Sequence, residues 1–308
     1  MPVSISAVKS ALVNSAATWA TPRNVARYFG PEAMQAAVEF VWNRQVKRGE
    51  LAAVLTDRFA GSGAVTVDVG ASWGLFSYHL SRRVGKGGTL FSFEPHPANR
   101  PALEKLAKAR PQVRFRAAAV SDEPGSADMQ VPVFGGRHVT AQSSIAHGFD
   151  GQDGVRVERV SVPTVRLDDE LGETRIDFIK VDVEGHEVSV LRGAAAVLRK
   201  YLPPMLIEIE QRHLDHPIAD VFAEIAGLGY SLYFIDGPAL RPIEEFDLDK
   251  HQLSAVVPNE FTPFDMPPGY VCNFCAVASA DVLSGVRGFA GLIPACPPGV
   301  AACAGFRF

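Results

Sequence analysis

From Val65 onward the chain alternates short β-branched runs with amphipathic stretches, and this alternation limits the possible folds more than any other feature. A strand pattern at 65–70 leads into a helix over 74–84, "GTLFSFE" (88–94) forms the next strand, 98–109 a helix, and "VRFRAAAV" (113–120) a third strand. Parallel neighbours need a crossover long enough to return the chain to the same sheet end, so this order predicts a doubly wound, mostly parallel α/β sheet. The pattern lapses into turn-rich sequence at 125–165, read as a substrate lid or edge hairpin. It resumes with "IDFIKVDV" (176–183), a helix ending near Lys200, "PMLIEIE" (204–210), a helix over 217–227, and strands at 230–236 and 271–277.

Residues 1–60 read as an N-terminal helical extension, 61–280 as the main domain, and 281–308 as a Gly-, Pro- and Ala-rich tail. A net charge of −4 gives no electrostatic footprint for nucleic acid. No apolar run approaches the roughly 20 residues of a membrane span. The N-terminus makes a poor secretory signal, so the cytoplasm is the expected compartment. Self-association is left open. Four cysteines, all beyond residue 270, form no disulfide framework, and Cys272-x-x-Cys275 lies in a strand-like run that favours buried core thiols over metal or redox chemistry.

In an open α/β sheet the ligand sits beyond the carboxyl ends of the strands. The first such end carries Asp68, Gly70, Ala71 and Gly74, where bare backbone can turn tightly and admit a ligand. The spacing D-x-G-x-x-x-G departs from the G-x-G-x-x-G of pyrophosphate sites and sets an acid before the first glycine. A cation suits it better, and S-adenosylmethionine carries a sulfonium, an α-amino group and no phosphate. Glu94, ending the second strand, can accept from both ribose hydroxyls.

The densest chemistry is "IDFIKVDVEGHEVSVLRGA", which puts Lys180, Asp182 and Glu184 on one face of a strand and opens the next helix with His186 and Glu187. An ion-pair network that merely holds the strand end is the alternative reading. Glu208 is a further site candidate, with Glu210 as a surface group or partner for Arg212. Ser143 and Ser144 are candidates for contact with cofactor or acceptor, or for capping a turn, and Ser121 and Asp122 fall where an adenine would lie. His96, His138, His147 and His213 share no metal-ligand spacing.

In order, "VDVGASWG", "FEPHP", "SSI", "TVRLDDEL", "IDFIKVDVEGHEVSVLRGA" and "PMLIEIEQRH" resemble the FkbM-type methyltransferases, which are class I, Rossmann-like enzymes dependent on S-adenosylmethionine. The resemblance covers Val65 to Val277; Ser72 departs from it, standing where the family commonly has Asn. It implies a seven-stranded sheet with the last strand antiparallel, and O-methylation of a small-molecule hydroxyl on a natural product or sugar. A cofactor-binding but inactive scaffold and, behind it, a nicotinamide-dependent reductase are the alternatives. For the transferase, His186 is the candidate base, its ordinary pKa near 6.5 leaving the ring largely neutral. Asp182 and Glu184 could take the proton instead, or hold a divalent ion with Glu208; no metal is expected.

Overall fold

The computed structural model describes residues 31–47, 51–134, 137–138, 143–145, 156–236, 239–254, 267 and 269–279. The readings made for residues 1–30, for His147 and for the 281–308 tail lie outside them. Two helices, α1 (Pro31–Lys47) and α2 (Leu51–Phe59), precede β1 (Val65–Val69), α3 (Leu75–Val84), β2 (Thr89–Phe93), α4 (Arg100–Ala109) and β3 (Val113–Arg116). After an insertion the winding continues with α5 (Leu167–Leu171), β8 (Phe178–Val181), α6 (Glu187–Gly193), α7 (Ala195–Tyr201), β9 (Met205–Glu208) and α8 (Ile218–Gly227). β10 (Ser231–Asp236), β11 (Ala239–Pro242) and β12 (Asn273–Val277) finish the sheet.

Strand order in the main sheet is β11-β10-β12-β9-β8-β1-β2-β3. Strands β3, β2, β1, β8 and β9 run parallel, and β12 lies antiparallel between β9 and β10. The antiparallel last strand is thus present, but the sheet has eight strands rather than seven, because the chain leaving β10 folds straight back as β11. Winding reverses between β1 and β8, so the ligand crevice of an open sheet falls at their carboxyl ends.

Both faces are covered. Met34, Ala37 and Val38 of α1 join Tyr78 and Leu80 of α3 and Leu106 of α4 over one face, with Leu51, Val54 and Leu55 of α2 on Tyr233 and Cys275. Val67, Val69, Ile179 and Val181 point the other way, into a larger core with Val190, Leu198, Val221 and Ile225. The last residues of the 113–120 run leave the main sheet: β4 (Ala119–Val120) pairs with β7 (Arg156–Val165), which pairs with β5 (Gly125–Phe134) and through it β6 (Arg137–His138). The insertion is therefore a long hairpin with its own apolar seam, Met129, Val131 and Val162. Among the described residues no helix is long and apolar enough to cross a membrane.

Candidate active site

β1 ends in a loop that turns four of its backbone N–H groups onto acceptors within the protein. The N–H groups of Gly70 and Ala71 both donate to the Phe93 carbonyl at 3.0 Å, Gly74 donates to Ala71, and Ser72 donates to Glu94 Oε2 at 2.7 Å. The glycines serve contacts within the protein. A Cβ on Gly70 (φ 77°) would run into the Asp182 carbonyl, and one on Gly74 (φ 100°) would press on Tyr78 and Leu103. Both glycines are thus required where the neighbouring strand and helix close on this loop.

Asp68 is drawn into the same packing. It is fully buried and faces α3, accepting from Ser77 Oγ at 2.6 Å; Ser77 in turn lies 2.8 Å from Ser92 Oγ. Lys180, opposite Asp68 in register, places Nζ 3.9 Å from Asp68 and 2.9 Å from Asp182, with the Phe76 ring 4.6 Å away. Ser92, Asp68 and Lys180 thus form a buried polar row across three strands. Burial pulls the Lys180 pKa down, but Asp182 and Asp68 outweigh it and hold the ammonium above its usual range. Asp182 is the member of this row that reaches outward, with 28 % of its side chain exposed.

Glu94 closes the end of β2. Beside Ser72, its carboxylate takes the His96 N–H at 2.8 Å and Asn99 Nδ2 at 3.3 Å, and burial pushes it up to about 7 against these donors. Asn99 Oδ1 is buried with no hydrogen-bond partner among the described residues. A carboxylate beside an orphaned amide oxygen is an acceptor pair suited to a diol.

Past β8 the chain makes a left-handed step at Glu184 (φ 53°), then Gly185 (φ 98°), whose missing Cβ leaves room for the His213 carbonyl. Ser72 (φ 50°) is left-handed as well, so both loops flanking the reversal point carry non-glycine strain. His186 turns towards β4: its Nε2 lies 3.0 Å from Ser121 Oγ, and burial lowers its proton affinity against the pull of Asp122. Asp122 is partly buried, but bonds from its own N–H, Ser121 and Ser189 hold it below the usual carboxylate range. Ser121, Asp122 and His186 therefore form one group, apart from the carboxylates. Ser144 is a clasp: 1 % exposed, it donates to the Glu184 carbonyl at 2.5 Å, while Ser143 Oγ is buried with no hydrogen-bond partner among the described residues.

Beyond β9 lies what the spacing of histidines did not reveal. Glu210 is no surface group; 3 % exposed, it is gripped by Arg212 through Nε (2.9 Å) and a terminal nitrogen (2.8 Å) and receives the Tyr270 hydroxyl. His213, on the turn Gln211–His213, places Nδ1 2.6 Å from Glu184 Oε2. The signal available was E-x-x-H at 210–213, but the decisive partner, Glu184, comes from another strand. Glu184, Glu210 and His213 bring one potential metal-ligand atom each within 4.8 Å. Both Glu210 oxygens already serve Arg212, so in this structure Glu210 is held in an ion pair rather than offered to a metal. Glu184 and Glu208 are pushed well above the carboxylate range, first by burial and then by Asp182 and each other's neighbours. Cys272 and Cys275 are buried free thiols, as the strand pattern suggested.

A doubly wound, mostly parallel sheet with one reversed strand is the fold of the class I S-adenosylmethionine-dependent methyltransferases. The Methyltransferase FkbM domain matches residues 63–232, and the chain belongs to that family, whose cofactor is S-adenosylmethionine. Among solved structures it is similar to methyltransferase FkbM from Methylobacillus flagellatus KT, at 17 % identity and a TM-score of 0.42, over 70 % of this chain and 44 % of that one. The chain thus spans less than half the length of that protein. Fibrillarin from Aeropyrum pernix in complex with S-adenosylmethionine shares 14 % identity (TM-score 0.39; 71 % and 68 % of the two chains). An S-adenosylmethionine-dependent O-methyltransferase from Thermotoga maritima shares 13 % (TM-score 0.38; 75 % and 65 %). No curated protein matched the chain.

Proposed function

We propose that the protein transfers a methyl group from S-adenosylmethionine to a hydroxyl of a small molecule. The charge balance of the site carries this reading. Among the described residues the cations beside Asp182, Glu184, Glu208 and Glu210 are Lys180 and Arg212, and each is already engaged by a carboxylate, Asp182 and Glu210 respectively, so neither is left to hold the pyrophosphate of a dinucleotide. In the loop before α3 the N–H groups of Gly70, Ala71, Ser72 and Gly74 are already used within the protein.

The residues present fit the cofactor. Glu94 and Asn99 would receive the ribose hydroxyls, Ser121 and Asp122 would flank the base, and Asp182 would lie towards the methionine portion. Bound there, S-adenosylmethionine supplies a methyl carbon already activated by its sulfonium. The protein's own work is then to align the acceptor oxygen in line with that carbon, exclude water and receive a proton. Isothermal titration tests the reading: S-adenosylhomocysteine should bind and NAD should not, and NAD binding alone would overturn it. Labelled-methyl incorporation into metabolite extract from the protein's own source would then identify the acceptor.

A further inference from the structure

We infer that His186 is a positioning residue of the cofactor pocket: with Ser189 and Gly193 on the same face of α6, it fixes the Ser121–Asp122 corner against which the cofactor's base would lie. The inference rests on the methyl-transfer reading above, and it takes His186 out of the role of general base.

Three observations carry it. First, one helix reaches the corner at three points. His186 stands at the N-cap of α6 with Nε2 3.0 Å from Ser121 Oγ, Ser189 bonds to the Asp122 carboxylate, and a Cβ on Gly193 would run into the Ser121 carbonyl. Residues three and seven positions beyond His186 share its side of a helix, so a single face makes all three contacts. Second, the corner is closed from behind: the Ser121 N–H donates to the Val165 carbonyl at 2.8 Å, and Ser121 is buried. Third, the direction of donation is set. Asp122, held ionised below the usual carboxylate range, can only accept, and Ser121 Oγ donates to its Oδ1 at 3.1 Å. A hydroxyl has one hydrogen to give, so the bond between Ser121 and His186 must be donated by Nε2–H.

The order of donation therefore runs from His186 through Ser121 to Asp122. Burial lowers the proton affinity of the ring, and in the neutral imidazole the one hydrogen sits on Nε2. A nitrogen already spending its hydrogen on Ser121 does not take a proton from the acceptor. It holds a serine and a carboxylate still instead. Asp122 collects hydrogen bonds from its own N–H, Ser121 and Ser189, and a carboxylate has sites for about four, which leaves room for a donor on the cofactor's base.

Two readouts on the full-length protein decide it. In long-range nitrogen–proton NMR of histidine-labelled protein at pH 8, His186 should be the Nε2–H tautomer, and Ser121→Ala should alter its ring nitrogen shifts. In isothermal titration with S-adenosylhomocysteine, His186→Ala should bind about three- to tenfold more weakly, the scale of one hydrogen bond. His186→Gln, whose side-chain amide can donate in place of Nε2–H, should recover to within about twofold of wild type. In a Ser121→Ala background, His186→Ala should add less than about twofold, because the ring acts through that hydroxyl. An Nδ1–H tautomer, a His186→Ala protein that binds as wild type does, or a His186→Gln protein that binds no more tightly than His186→Ala would overturn the inference. So would a His186→Gln protein of wild-type affinity whose labelled-methyl incorporation falls by about 100-fold or more, the scale of a lost general base. A wild type that binds no S-adenosylhomocysteine while His186 keeps its Nε2–H would count against the transferase reading instead.

Discussion

Glu94 holds the cofactor loop together from inside, taking N–H groups from Ser72 and His96 and the Asn99 amide. Removing its carboxylate should therefore cost both the ribose contacts and the loop's shape. With hydrogen bonds to charged groups contributing about 1.5–3 kcal/mol, Glu94→Ala should weaken S-adenosylhomocysteine binding by roughly 10- to 100-fold in calorimetric titration. Unchanged affinity would take Glu94 out of the site. Glu187 makes a different prediction. It is 1 % exposed, accepts the Gly185 N–H and its own, leaves Oε2 with no hydrogen-bond partner among the described residues, and is pushed by burial from 4.5 up to about 7. Below pH 4.5 the group is protonated in folded and unfolded chain alike, and its full contribution to stability is present. Between 4.5 and 7 only the folded state keeps the proton, so stability falls as pH rises, by up to about 1.4 kcal/mol per pH unit. Urea midpoints should drop from pH 5 to pH 7.5, and the neutral isostere Glu187→Gln should flatten that slope and be the more stable protein at pH 8. An equal slope in the variant would assign the dependence to other groups, Glu94 first among them.

At the scale of elements, α1 is wired into the site rather than laid over it. Trp42, 2 % exposed, stacks on His79 at 3.7 Å and meets the Phe76 edge at 5.2 Å, and Phe76 in turn faces Lys180. Truncating a buried aromatic of this kind costs about 3–5 kcal/mol, so Trp42→Ala should lower the unfolding free energy obtained from denaturant titration by that amount. Loss of the Phe76 support should also weaken cofactor binding in whatever fraction remains folded; an unperturbed affinity would make α1 a stability element alone. The strand and helix order around this junction was legible because burial on both faces writes near-continuous apolar runs into parallel strands. The role of each polar residue was not. Asp68 reads as a ligand group because an acid before a glycine loop sits at a strand end, yet strand pairing and Ser77 turn it inward. Likewise His213 gains its meaning only from Glu184, 29 positions earlier, and that pairing depends on β8 and β9 being neighbours. β11 escaped because a four-residue strand ending in Pro carries almost no periodic signal.

For the molecule as a whole, the open question is how the hairpin sheet communicates with the eight-stranded one. The two are joined covalently where β3 runs into β4, and beside that by the Ser121 N–H on the Val165 carbonyl. Across the crevice they meet again at Ser144, whose backbone pairs with Gln130 of β5 while its hydroxyl reaches the Glu184 carbonyl. That hydroxyl is thus the contact through which hairpin position and the strained Glu184 loop are coupled. One neutral hydrogen bond is worth about 1 kcal/mol, small against the stability of a domain this size. Ser144→Ala should leave the global unfolding transition within about that amount of wild type. Local opening follows a different free energy from global unfolding, and it is local opening that the clasp resists. Hydrogen exchange at Gln130, Ser144 and Gly185 amides should accelerate in the variant by up to about tenfold, while amides of β1 and β8 keep their protection. Exchange that rose uniformly across both sheets would mean the clasp is part of the global core, and the hairpin could not then move over the acceptor independently of the sheet beneath it.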